Sequence, residues 1–111
     1  MSAGQQAFSA LEMRVGRVVT AAAHPRARKP SYQLTIDFGP EIGQKNSSAQ
    51  LTELYRAEEL VGRLVICAMN LGSRNIAGFV SEVLTLGVAD SQGRVVLLQP
   101  EREVPLGSRV Y

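Results

Sequence analysis

Tryptophan is absent from this chain, and its aromatic side chains are three Phe and three Tyr. Platforms for stacking nucleobases are therefore scarce, because a small core claims several of these rings. Cysteine is almost as rare. The single Cys67 admits no intramolecular disulfide, and its place in an apolar run reads as a small core hydrophobe rather than an activated thiol. No apolar run approaches the roughly 20 residues of a membrane-spanning helix, so no membrane insertion is expected. The opening MSAGQQAFSALEMR has neither a basic stretch nor an apolar one, which predicts a cytoplasmic location. The lone His24 has no Cys or second His with which to share a metal, and reads as structural or simply exposed. Ser47-Ser48 has no general base at a telling spacing, and no Gly-rich loop leads into a helix to cradle phosphate. No metal site, cofactor or catalytic residue is expected, and the chain reads as a binding protein rather than an enzyme.

What is present is a globular composition, 45% apolar, over 111 residues. That length removes about two thirds of the unfolded chain's surface from water. No repeat, low-complexity tract or linker interrupts it, so residues 1–111 are expected to form one domain. Formal net charge is only +2. Distribution matters more than the total: Arg26, Arg28, Lys29 and Lys45 crowd the first half, while Glu53, Glu58, Glu59, Glu101 and Glu103 fall later. One face is expected to be basic.

Residues 65–87 form the centre of the pattern. Leu64 to Met69 is a near-continuous apolar strand, Asn70 to Asn75 a polar turn with a Gly, and Ser81 to Leu86 a returning strand. Upstream, Phe8 and Leu11 share one face of a short helix. Met13 to Ala22 reads as a strand with Met13, Val15 and Val19 inward and Gly16 as a bulge or bend. His24 to Pro30 is a basic loop bracketed by prolines. Tyr32 to Phe38 alternates cleanly, with Tyr32, Leu34, Ile36 and Phe38 on one face. A turn at Gly39-Pro40-Glu41 leads to a polar third strand or arm, Ile42 to Ala49. Thr52 is placed to cap a short helix ending at Leu60, with Glu53 in its first turn. Gly87 to Gly93 reads as a loop, Arg94 to Gln99 as a strand stopped by Pro100, and the tail turns at Pro105 and Gly107. Short strands with one helix between the third and fourth predict a mainly β fold: a small closed five-stranded OB-fold Greek-key barrel with one inserted short helix and short N-terminal and C-terminal extensions. An unclosed α+β sheet fits the pattern nearly as well.

Several separated motifs carry a family likeness. MRVGRVVTAAAHP resembles the opening of the tRNA-binding OB domains attached to some methionyl- and phenylalanyl-tRNA synthetases, and VGRLVICAMNLGSRNIAGFVSEVLTLG resembles their central motif. The run IDFGPEIGQKNSSAQLTELY and the ending VVLLQPEREVPLGSRV are similar to the free-standing CsaA-type chaperones of the same family. The resemblance extends from about Phe8 onward. It implies a homodimer that binds unfolded or precursor, export-destined polypeptides in surface clefts, with tRNA as the alternative partner. It also implies a dimer interface built from both chain ends, for which Phe8, Leu11, Leu106, Val110 and Tyr111 are candidates; closing the monomer's own barrel is the other role open to them.

For a polypeptide client, a cleft must offer apolar pockets and a few fixed hydrogen-bonding groups. Ser47, Ser48, Gln50, Asn70, Ile76, Phe79, Ser81 and Glu82 have those chemistries in the right stretches. Capping of backbone or burial in the core is the alternative for each. For RNA, a basic track beside polar sugar contacts is needed, and Arg26, Arg28, Lys29, Lys45 and Arg74 with Asn70, Ser73 and Ser81 are the candidates. The central turn of the RNA-binding relatives carries a proline and paired basic residues, whereas here it is Leu71-Gly72-Ser73-Arg74-Asn75. Val80 is apolar where CsaA-type chains can have Lys, and Arg28 replaces the acidic residue usual after His-Pro. The charge missing from the central turn, which Arg28 makes up only in part, and the scarcity of aromatics for stacking rank polypeptide binding ahead of RNA.

Overall fold

Alternation decides the centre of the fold. In β2 (Tyr32–Asp37), Leu34 and Ile36 point inward and are buried, with Phe38 just beyond, while Gln33, Thr35 and Asp37 face outward. The computed structural model, which describes residues 1–111, places β2 antiparallel between β1 (Met13–Ala23) and β3 (Gln44–Ala49). The first half of β1 pairs with β4 (Leu64–Ala68), and β7 (Leu84–Thr85) flanks β4. The five-stranded sheet thus runs β3, β2, β1, β4, β7. Its two ends meet where Ser47 Oγ and Thr85 Oγ1 lie 2.8 Å apart and the Asn46 carbonyl accepts from the N–H groups of Glu82 (2.8 Å) and Val83 (3.3 Å). This nearly closed antiparallel barrel, with the short helix α2 (Ala57–Leu60) ahead of β4, is the OB architecture expected from the order of elements. The unclosed sheet is excluded by that seam.

Gly16 has a different role from the bulge expected of it. It pairs with Val65 in regular register, and a Cβ there would meet Ile36 Cγ2 at 2.5 Å and a Phe38 ring carbon at 2.7 Å. The missing side chain is space that the core of β2 fills. The bulge falls at Val19 instead: Val18 opposes Ile36 and Thr20 opposes Thr35, leaving Val19 as the extra residue. Ahead of the bulge the core-facing positions are Gly16 and Val18, so Val18 is buried and Val19 is exposed, against the expectation that Val19 faces inward with Met13 and Val15.

The helix expected from Thr52 begins only at Ala57. A helix from Thr52 would offer the Tyr55 carbonyl to the N–H of Glu59, but the Tyr32 hydroxyl donates to that carbonyl (2.8 Å) and Glu59 N–H turns to Arg56 O (3.0 Å). Glu58 and Glu59, rather than Glu53, occupy the first turn. Tyr55 is held from its other end too, its hydroxyl accepting from Leu97 N–H (3.0 Å).

Two hairpins reach into stretches read as connections: β5 (Arg74–Ile76) begins in the turn read over Asn70 to Asn75 and β8 (Gly87–Ala89) lies in the loop read over Gly87 to Gly93, while β9 (Val95–Leu97) falls within the strand expected over Arg94 to Gln99. β5 and β6 (Phe79–Ser81) are joined by Ala77-Gly78, both with positive φ (50° and 90°), as a type I′ turn requires. β8 and β9 enclose a turn in which Asp90 Oδ1 accepts from the N–H groups of Gln92 (2.9 Å) and Arg94 (2.8 Å). At the chain ends, α1 (Ala3–Ala10) opens with a Ser2/Gln5 capping box and buries none of its residues. The C-terminal tail runs back along β1, Gly107 N–H donating to Val15 O (2.8 Å) and Val110 N–H to Met13 O (2.9 Å). No helix is long and apolar enough to cross a membrane.

Candidate binding surface

The β5–β6 hairpin rests against the outer edge of β3. Because β3 pairs with β2 on one side only, alternate N–H groups point away from the sheet and need acceptors. Side chains provide them. Ser81 Oγ accepts from Ser48 N–H (3.0 Å) and donates to the Val83 carbonyl (3.3 Å), while Glu82 Oε1 accepts from Asn46 N–H (3.0 Å). Ser47 is fully buried against Thr85 at the barrel seam. Asn70, the residue closing the central strand, clamps α1 to β1: its Oδ1 accepts from Glu12 N–H (2.9 Å) and its Nδ2 donates to Ala10 O (2.7 Å).

These contacts correct the candidate list. Ser47 has no surface to offer a client, and Ser81, Glu82 and Asn70 have hydrogen-bonding groups already engaged within the protein. Ser48, Gln50, Ile76 and Phe79 retain accessible side chains. Of the RNA set, Arg26, Arg28, Lys29, Ser73 and Arg74 are exposed and Lys45 is half-buried, and none of the five cations forms an ion pair.

A cleft lies at each end of the hairpin. At its base, Lys45, Met69, Asn70, Ser73 and Glu82 line a space of about 330 Å³. At its tip, Ala77, Gly78 and Phe79 face His24, Pro25, Arg26 and Gln33 across about 260 Å³. His24 is buried, and its ring meets that of Phe79 edge to face, centroids 5.8 Å apart. The tip cleft joins the basic loop to the hairpin, two segments some fifty residues apart in sequence. Nothing in the pattern marked Gln33 or His24 as its walls beyond the outward register of one and the loop position of the other.

Elsewhere, a cleft of about 380 Å³ is lined by Arg17, Arg63 and Arg102 together with Glu59, Glu101 and Glu103. There Arg17 pairs with Glu103 (2.8 Å) and Arg102 with Glu101 (2.6 Å), and Arg63 lies over the Tyr55 ring at 5.0 Å. Among the interface candidates, Leu11, Leu106 and Val110 are half-buried on their own chain, whereas Phe8 (47% exposed) and the fully exposed Tyr111 are uncovered. Burial pushes the Cys67 thiol up to about 11, against a weaker pull from Thr85, which suits an inert core residue. No group of three His, Cys, Asp or Glu residues is brought together as a metal cage would need.

An OB barrel whose free polar and basic groups gather on one hairpin and one loop falls in the class of binding domains. A profile of the family described as "Putative tRNA binding domain" matches residues 13–109. The chain belongs to this tRNA-binding-domain family, in its CsaA-type branch. It is similar to the CsaA chaperone of Bacillus anthracis, at 42% identity and a TM-score of 0.91 over 100% of both chains. The CsaA chaperone protein of Picrophilus torridus is 40% identical, with a TM-score of 0.90 and the same full coverage. The methionine–tRNA ligase of Pyrococcus abyssi is 36% identical over 103 residues, which are 93% of this chain but 14% of the ligase's length. The family is one of binding domains, which also occur as parts of enzymes.

Proposed function

We propose that this protein is a non-enzymatic, cytoplasmic, homodimeric chaperone that binds unfolded or export-destined polypeptides around the β5–β6 hairpin. The observation that carries this reading is the end-to-end likeness to two CsaA chaperones. The surface chemistry agrees. Leu71 and Val80 are exposed, Ile76 and Phe79 half-exposed, and Ser48 and Gln50 lie along the β3 edge beside them, so apolar pockets adjoin a few polar groups. Pairing of two copies through Phe8, Tyr111 and the uncovered α1 gives each assembly two such surfaces, and one extended client touching both gains affinity through effective concentration.

A second reading, tRNA binding, is favoured by one observation: all five cations beside the hairpin lack acidic partners. Fluorescence anisotropy with a labelled unstructured peptide and a labelled tRNA, over a series of salt concentrations, separates the two. Salt-tolerant peptide binding beside weak, steeply salt-dependent tRNA binding is the expected result. Tight tRNA binding at physiological salt with no peptide signal overturns the chaperone reading.

A further inference from the structure

We propose that the cleft at the hairpin tip is a pocket for one unpaired RNA base. Phe79, braced by the His24 ring, supplies the stacking face, Gln33 meets the base edge, and Arg26 with its neighbours Arg28 and Lys29 holds the flanking phosphates. The inference rests on the RNA reading above and adds to it a site for a single nucleotide.

Three observations converge. First, His24 is only 5% exposed and its Nδ1 is shut off from water with no partner in the protein. An atom that water cannot reach does not face the open cleft, so His24 serves the cleft as a fixed wall, its ring edge-on to that of Phe79. Second, the walls combine an aromatic ring, a primary amide and a guanidinium, and no carboxylate lines them. A primary amide both donates and accepts in one plane, which matches the Watson–Crick edge of a splayed base. The cationic loop beside it favours a polyanion over a neutral peptide backbone. Third, the hairpin tip is fixed. Ala77 holds a positive φ of 50°, and Asn75 Oδ1 accepts from Gly78 N–H at 2.8 Å, so Phe79 leaves the turn at a set angle opposite Ile76. Strain at a non-glycine turn residue is a common mark of functional geometry.

Anisotropy titration of the intact protein tests this, using a labelled unstructured RNA of about 12 nucleotides, within the span single-stranded binders cover. The same strand with its bases removed is run beside it. Base removal is expected to weaken binding to the unmodified protein about ten-fold, within the range for one stacked base. Phe79→Leu and Gln33→Leu, with unchanged unfolding midpoints, bind the intact strand only as well as the abasic one and no longer distinguish the two. Their salt dependence stays as it was, whereas Arg26→Ala lowers the slope by about one and keeps the distinction. Equal affinity of the unmodified protein for both strands, or indifference to Phe79→Leu, overturns the base pocket and leaves the RNA reading standing. No RNA binding at any salt overturns both. Loss of peptide affinity in Phe79→Leu with RNA affinity unchanged reassigns the cleft to a client side chain.

Discussion

Two arginine-rich regions of this barrel look alike in sequence and differ in what they have free. Around α2 and the tail, Arg17 and Arg102 pair with Glu103 and Glu101 and Arg63 lies on Tyr55. Beside the hairpin, Arg26, Arg28, Lys29, Lys45 and Arg74 form no ion pair. Exposed pairs contribute little to stability, about 0 to 1 kcal/mol, yet they cancel the local field, and an unpaired cluster does not. Partner accounting, more than charge count, separates a surface whose charges are spent within the protein from one whose charges are free.

The strongest way to break that contrast is to strip each region in turn. The triple change Arg26→Ala, Arg28→Ala, Lys29→Ala is expected to lower tRNA affinity on the order of 100-fold at low salt, flatten its salt dependence, and leave the unfolding midpoint where it was. Arg17→Ala with Arg102→Ala should leave tRNA affinity unchanged and lower stability by about 1 kcal/mol at most. Equal losses of affinity in both sets would show that pairing does not decide availability.

Alkaline pH probes the seam behind the hairpin. Cys67 is buried beside Thr85, and its thiol is raised from 9.0 to about 11 chiefly by burial. Folding favours the neutral thiol, so this contribution is fully present below pH 9.0 and is lost as pH climbs towards 11. The full loss is about 2 to 3 kcal/mol. Denaturant unfolding at a series of pH values should therefore show a steeper fall above pH 9.0 than in Cys67→Ala. Coincident slopes would mean that water reaches the thiol in the folded barrel.

Ser81 sharpens the comparison from the structural side. Removing its hydroxyl by Ser81→Ala orphans the outward N–H of Ser48, at about 1 to 3 kcal/mol for a buried group. Neither peptide nor RNA affinity should change at a temperature where the variant stays folded. A loss of affinity with full stability would return Ser81 to the binding surface.

How much of this was legible follows from the length of each signal. The six-residue alternation of β2 and the apolar run of β4 set their own burial, and the order of strands around one helix sufficed for the barrel. Three-residue strands such as β5 and β8 are too short to repeat the two-residue period that would reveal them. Val19 turned outward because the inward register of β1 is carried by Gly16 and Val18, and a glycine leaves no apolar mark of the face it occupies. Thr52 lost its helix to the Tyr32–Tyr55 contact, which joins residues 23 apart. At the candidate binding surface the chemistry of each residue was readable but its engagement was not. Ser47, Ser81, Glu82 and Asn70 are as polar as Ser48 and Gln50, and only long-range hydrogen bonds distinguish them.

The smallest expected effect lies at the hairpin tip, where geometry rather than charge is at stake. Ala77 adopts positive φ at the first central position of a type I′ turn. An L-residue with a Cβ is strained there by about 1 to 2 kcal/mol, whereas Asn tolerates the conformation and Asn-Gly is the favoured pair. Ala77→Asn should stabilise the protein by up to about 1 kcal/mol, since a nearby Asn75 already braces the turn. Hydrogen exchange at Gly78 and Phe79 should slow by a similar factor, because opening of the hairpin exposes both amides. If the hairpin is a fixed platform, affinity for either partner is unchanged or slightly higher. A stabilised hairpin that binds worse would mean that the strained Ala77 lets Phe79 move on binding, and the contrast between the two regions would then include mobility as well as charge.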